Sequence, residues 1–264
     1  MNMYARLFGS VVVVLLFTSA ASASLIAYND FGGSTDYGGG NGTGYLGGNV
    51  TAFTKSTGGF LKDYATGLTT SVNMSLSCGT LAWTAYQGAA LAAGKDAYNV
   101  FNGIVNPYGL IGSNSSGASY GPYTITFTGL NAGEKYDIVL YGDRAWPGTP
   151  VPDATTRASD AYTISGAAAY QNISSTGISG ATATMNVGNN TAAGYVAHYT
   201  NIQPGGVNNN SFTITLTSPN VDGDGAWRLN AMRLEAIDAV PEPVTLGLLG
   251  LGGLGILLRR RSAR

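Results

Sequence analysis

Apolar residues return at every second position along most of this chain, and that period limits its fold more than anything else in the sequence. In Tyr123-Thr124-Ile125-Thr126-Phe127 large apolar side chains alternate with threonines, and Phe212-Thr213-Ile214-Thr215-Leu216 repeats the pattern. Successive side chains of a strand point to opposite faces, so the alternation describes sheets with one face buried and one in water. Further strands are predicted at 25–28, 72–78, 136–141, 162–164, 181–187, 195–202 and 227–237, with a short one at 50–54. Segments 123–127 and 136–141 read as the best pair, joined by a Gly-containing loop. Only 89–101 offers a helix, on the run from Ala89 to Ala93, and Gly94 interrupts it. About ten short strands separated by turn clusters predict an all-β, antiparallel β-sandwich of jelly-roll or Greek-key type. No repeat of fixed period points to a propeller or solenoid.

Both ends of the chain stand apart from this pattern. Residues 1–23 have the zones of a secretory signal peptide: Arg6, an apolar stretch from Leu7 to Phe17, and the small-residue site Ala21-Ser22-Ala23, which makes Ser24 the expected mature N-terminus. At the other end, Val240-Pro241-Glu242-Pro243 is rigid and extended, because proline fixes φ and disfavours helix before it. An uncharged run, 244–258, follows, and Arg259-Arg260-Arg261 closes it. Apolar residues ending in cations suit a segment that stops in a bilayer with its basic end in the cytoplasm. The run has five glycines (247, 250, 252, 253 and 255) and falls short of the roughly 20 residues a stable span needs, so it reads as a transient anchor.

Taken together, Pro241-Glu242-Pro243, the Leu/Gly-rich run and the arginine cluster resemble the PEP-CTERM sorting signal of exported bacterial proteins. The resemblance covers the last tenth of the chain. It implies passage through the export machinery, a transient inner-membrane intermediate held by a short transmembrane helix, and processing by an exosortase. It further implies a Gram-negative host, a cell-surface or extracellular-matrix destination, and a link to exopolysaccharide and biofilm. The expected organisation is a signal peptide at 1–23, an extracellular domain at 24–239 and the sorting signal at 240–264.

The extracellular segment has its own electrostatics. Five of the thirteen basic residues of the chain lie in the end segments, leaving eight against thirteen acids, a net charge of −5. A mildly acidic domain without a basic cluster lacks the footprint of a nucleic-acid binder. Charged residues are only 10% of the chain, where about a quarter is usual, and Gly, Ser, Thr, Asn and Tyr fill the deficit. A polar, uncharged surface suits an all-β extracellular protein. Cys78 is the only cysteine, so no intramolecular disulfide forms, and it falls on the apolar parity of its strand.

Two loose resemblances concern this segment. Leu130-Asn131-Ala132-Gly133-Glu134-Lys135-Tyr136 resembles the tyrosine corner of Greek-key sandwiches, which would make Tyr136 structural. Residues 227–235 resemble the last strand of galactose-binding-like jelly rolls, which returns beside the first strand.

Catalytic chemistry has few candidates. His198 is the only histidine, it sits in a predicted strand, and no G-x-S-x-G elbow accompanies it. Zinc needs several His or Cys ligands, and this chain has one of each. The aspartates fall mostly in turns, where they cap backbone. Asp222-Gly223-Asp224-Gly225 brings two carboxylates one residue apart on a flexible loop and is a weak calcium candidate beside the reading of a plain turn, with Asp30 a conjectural third ligand. Trp146, in Tyr141-Gly142-Asp143-Arg144-Ala145-Trp146, opens a long Pro-containing loop. With Arg144 and Asp143 it makes a candidate sugar-stacking site, against the plainer reading of loop packing. Trp83 and Trp227 adjoin strand patterns and are expected in the core. The favoured reading is a non-enzymatic exported protein in contact with extracellular polysaccharide. A carbohydrate-binding module with a calcium-stabilised fold and a glycoside hydrolase using aspartates stand as alternatives.

Overall fold

The computed structural model describes residues 24–32, 48–54, 57–77, 82–86, 88–113, 122–144, 159–188, 190–218 and 227–237. Its strands are, in chain order, β1 (Ile26–Asp30), β2 (Gly59–Lys62), β3 (Thr69–Ser77), β4 (Ala82–Tyr86), β5 (Gly109–Ser113), β6 (Tyr123–Thr128), β7 (Lys135–Tyr141) and β8 (Ser159–Ser165). They continue with β9 (Ala167–Asn172), β10 (Ile178–Ser179), β11 (Thr182–Asn186), β12 (Ala197–Pro204), β13 (Phe212–Thr217), β14 (Arg228–Leu229) and β15 (Ala231–Ile237). A five-stranded sheet has the order β1-β15-β7-β12-β9, a seven-stranded sheet the order β10-β11-β8-β13-β6-β3-β2, and a small sheet the order β14-β5-β4. Every ladder between them is antiparallel.

The order within the two large sheets is that of a jelly roll. The chain crosses from one sheet to the other between β1 and β2, β6 and β7, β7 and β8, β8 and β9, β9 and β10, β11 and β12, β12 and β13, and β13 and β15. This corrects one expectation. β6 and β7 are not partners: β6 lies between β13 and β3, while β7 lies between β15 and β12. Alternation fixes which face of a strand is buried and leaves its neighbour open. The arch between them is held by the tyrosine corner, where the Asn131 N–H donates to the Tyr136 hydroxyl at 2.8 Å. Leu130 and Tyr136 are both buried there, and burial pushes the Tyr136 hydroxyl up to about 12.

The core lies between the two large sheets. Ile138, Leu140, Tyr199, Met232 and Leu234 meet Met74, Ile125, Phe127, Tyr162, Ile214 and Leu216 from the other side. The outer face of the five-stranded sheet is covered as well. Tyr28, Val139, Tyr141 and Ala231 pack against Val50 and against α1 (Asp96–Phe101) through Ala97 and Phe101. That double burial explains the unbroken apolar run Ile138-Val139-Leu140-Tyr141 in β7, the sheet's central strand. The helix is shorter than the 89–101 expected. Gly94 takes φ +75°, a left-handed conformation that breaks the alanine run, and only 96–101 coil. Val50 to Thr54 supplies an isolated parallel bridge, Asn29 with Thr51, beside β1.

Antiparallel pairing sorts the connections into two poles. β1 starts opposite the end of β15, with Ile26 facing Glu235, and β7 starts opposite Ile237. Ser24, Ile237 and the tyrosine corner share that pole. The opposite pole gathers the end of β1, the end of β7, the start of β12 and the start of β15. Among the described residues no helix is long and apolar enough to cross a membrane. Residues 1–23 and the tail 240–264, with Pro241, Glu242, Pro243, Arg259, Arg260 and Arg261, lie outside the described residues, as do Ala21, Ala23 and Cys78.

Candidate functional site

The pole where β1, β7 and β15 meet the longer connections holds a dense buried polar network. Asn230, between β14 and β15, is its hub. Its backbone N–H donates to Tyr141 O at 2.8 Å and its carbonyl accepts from Phe31 N at 2.9 Å. Its side chain accepts from Asp143 N at 2.7 Å and donates to Pro107 O at 2.8 Å. Asn190 makes a second hub, donating to Gly142 O at 2.9 Å and to Tyr195 O at 2.8 Å while accepting from Tyr195 N at 2.9 Å. Buried backbone groups must be paired, and here two amide side chains replace the ladder where the strands end. Gly142 lets these elements close up. A Cβ there would meet Arg228 O and the Tyr162 hydroxyl at 2.5 Å.

Three carboxylates belong to this pole, and each is fully buried. Asp143 accepts from Thr191 N at 3.0 Å and from Thr191 Oγ1 at 2.9 Å. Burial pushes its carboxyl up to about 6, although hydrogen bonds from Thr191 and from the backbone of Asn190 and Ala89 pull the other way. Asp30 accepts from Gly32 N at 2.9 Å and Asn106 N at 2.9 Å. Asp160 accepts from Arg228 N at 2.6 Å, and burial pushes it up to about 8 against the pull of Arg228. Arg228 is itself buried and donates to Trp227 O at 3.0 Å. Trp227 packs in the core as expected, stacked on Tyr123 at 4.5 Å.

The residues singled out from the sequence fall differently on this frame. Asp143 is in the interior, clasping Thr191 rather than facing a groove. Arg144 is half-buried, its N–H donating to Val187 O at 2.8 Å in a parallel bridge with Gly188. Trp146, Asp222 and Asp224 lie outside the described residues. Asp30 does sit on a strand next to β15, as conjectured, but with its carboxylate bound to backbone. Asn190, Asn230 and the Asp160–Arg228 pair were missed from the sequence. Asn190 reads there as part of an ordinary Gly-Asn-Asn-Thr turn, and Asp160 and Arg228 are 68 positions apart.

His198 lies elsewhere, on the outer face of the five-stranded sheet. Its Nε2 contacts Asp137 Oδ1 at 2.8 Å and Oδ2 at 2.9 Å, and Arg233 Nη2 bridges Asp137 at 3.5 Å and Glu235 at 3.3 Å. Ser174 Oγ reaches the His198 backbone, accepting from its N–H at 2.9 Å. The arrangement is a half-exposed ion cluster across β12, β7 and β15. Among the described residues no group of three His, Cys, Asp or Glu is placed to hold a metal ion. At the opposite pole an open pocket of about 360 Å³ is lined by Leu25, Asp63, Thr66, Glu134 and Tyr136, among others. Burial would raise the Asp63 carboxyl, but bonds from the Thr66 hydroxyl and backbone outweigh it and hold the group below the usual carboxylate range.

Comparison with known proteins bears on the ends of the chain more than on this network. No curated protein matches the sequence. Among solved structures the chain is similar to an exo-beta-1,3-galactanase from Phanerochaete chrysosporium, determined with galactose, at 8% identity and a TM-score of 0.24. The match covers 66% of this chain and 32% of that one, and at that score it carries no argument about fold or activity. The family model for the PEP-CTERM protein-sorting motif matches residues 239–261. It begins just before the Pro-Glu-Pro and ends on the last residue of the arginine cluster. Residues 239–261 are therefore a PEP-CTERM protein-sorting motif, and the chain is a protein marked for export, membrane-anchored sorting in a Gram-negative bacterium and processing by an exosortase.

Proposed function

We propose that the jelly-roll body is non-enzymatic and works at the cell surface or in the extracellular matrix, where it contacts polysaccharide. One observation carries the reading. The carboxylates at the loop-bearing pole accept from backbone and hydroxyl donors, Asp143 from Thr191, Asp30 from Gly32 and Asn106, and Asp160 through one oxygen from Arg228 N, its other oxygen being buried without a hydrogen bond among the described residues. A glycoside hydrolase keeps two acids facing its substrate across a cleft, roughly 5–10 Å apart. Buried acids that cap strand ends are structural instead, and Asp143, Asp30 and Asp160 are of that kind. The sorting motif supports the location, since it directs the body out of the cytoplasm.

The test uses native protein. Mass spectrometry of material from its own host should find a chain starting at Ser24 and ending near Pro241, recovered with the envelope or the matrix. Incubation with labelled polysaccharides should release no product. Product that disappears on single Asp→Asn changes would establish the hydrolase instead.

A further inference from the structure

The seven-stranded sheet turns a face of hydroxyls to solvent. On β6 and β13 the buried residues Tyr123, Ile125, Phe127, Phe212, Ile214 and Leu216 alternate with threonines, so every outward position is Thr. The ladder registers align these residues across strands. One row runs Ser77, Thr124, Thr215, Thr163, Thr182, and the next runs Ser75, Thr126, Thr213, Ser165. Neighbouring hydroxyls touch: Thr126 and Thr213 at 3.2 Å, Thr163 and Thr182 at 2.9 Å. The outward positions of β3, β6, β13, β8 and β11 carry no charged residue. At one margin Phe60 is 55% exposed on β2, in register with Asn73 and, through it, with Thr128.

Resting on the surface role proposed above, we propose that this face is the binding surface and that its partner is a single chain of a neutral, hydroxyl-rich polysaccharide. Four features of the face select that chemistry. Over its five central strands it carries no charge, and Lys62 stands only at the β2 margin, so the face has little attraction for ionic partners. Each hydroxyl both donates and accepts, which matches another hydroxyl and gives an anion only half of what it needs. Protein partners are anchored by buried aromatic and arginine side chains, and apart from Phe60 at the margin this face has none. Its regular spacing suits a repeating partner. A row of five hydroxyls advances about 4.8 Å per strand, close to 19 Å in all, and offers one contact per step to a polymer crossing the strands. Twist then decides between a chain and a crystal. Strands rotate by roughly 20–25° each, so five accumulate about 80–100°. A rigid planar lattice can register with only two or three of them, whereas a single flexible chain follows all five. Phe60, opposite Asn73 and four residues along β3 from the end of that row, offers a ring at the margin on which a further sugar can stack.

The experiment measures binding of the full chain to three probes: a soluble neutral β-glucan, the same polymer in crystalline form, and a uronate-rich polysaccharide. Each is measured at low salt and at about 1 M salt, where charge attraction is screened beyond roughly 3 Å. The expected result is saturable binding to the soluble neutral chain, unchanged by salt and weaker on the crystal. Thr124→Val with Thr215→Val removes two central hydroxyls while keeping shape and strand preference, and should weaken binding about tenfold with unchanged unfolding temperature. Phe60→Ala should weaken it as well. Binding that survives both variants but is lost in Trp146→Ala would overturn the assignment to this face and leave the surface role intact. Binding only to the uronate polymer, abolished by salt, would overturn the neutral partner. No binding to any of the three would sink the polysaccharide reading along with it.

Discussion

Tyr136 and Asp143 show how unevenly single residues can be read from a sequence. The corner tyrosine was legible because its role is local: the hydroxyl meets the Asn131 N–H five positions upstream, and the spacing of Leu130, Gly133 and Tyr136 is set by that arch. Asp143 was misleading because its role is distant. It stands beside Arg144 and Trp146 in a stretch that resembles a sugar site, while the partner that claims it, Thr191, is 48 positions away. Its titration gives a sharp test. Burial raises the folded-state value from the ordinary aspartate 3.8 to about 6, so stability from this group is full below about 4 and is lost as pH rises through about 6. Urea midpoints of the parent should therefore fall over that window. Asp143→Asn should flatten this part of the profile, since the amide can accept from Thr191 N while the Thr191 hydroxyl turns to accept from it. Asp160, raised to about 8, drifts over a wider range in both proteins, so the difference between the two curves isolates Asp143.

Among the elements, strands were legible wherever one face is buried and one wet, and less so where both faces are covered. β6 and β13 could be read residue by residue. β7 was placed, but its unbroken apolar run did not say what lies on its second side. The covering is α1, which at six residues is far below the dozen or more that hold a helix in water, and which has no side-chain N-cap. It exists because Phe101 sits against Tyr28 and Tyr141, with ring centroids 6.4 and 6.3 Å away. Phe101→Ala should cost about 3–5 kcal/mol, read from denaturant unfolding. Amide exchange at 96–101 should rise in that variant well before exchange in β7. If the helix amides stay protected, α1 is held by its N-terminal end, through the Ala97 N–H donating to Gly194 O at 3.0 Å and the Ser175 hydroxyl donating to Asp96 at 2.6 Å.

For the whole molecule, fold class followed from periodicity, but the choice of jelly roll did not, because pairing between strands far apart in the chain, such as Ile125 with Ile214 or Val139 with His198, leaves no mark on either. β1 and β15 were the exception, expected as neighbours from the closing segment and found so, with Ala236 N donating to Leu25 O at 2.8 Å. The loop-pole network was not legible at all. Its hubs are asparagines from separate turns, of the type that any turn employs. Adjacent ends permit a test of the topology. A circular permutant joining Ser24 to Ile237 through a linker of about four residues, opened at the exposed Gly180, should keep the parent's far-ultraviolet spectrum and a cooperative melt within a few degrees. Loss of cooperativity would mean that the β10–β11 turn is needed to close the seven-stranded sheet.

That adjacency has a mechanical consequence. Residues 1–23 and 239–261 both join the sandwich at the tyrosine-corner pole, on neighbouring strands about 4.8 Å apart. Whatever grips either segment during export holds the cargo by one end, like a pendant, with the asparagine-laced loops hanging farthest from the point of suspension. Pulling on both cords at once loads β1 against β15 in a peeling direction, one ladder bond at a time.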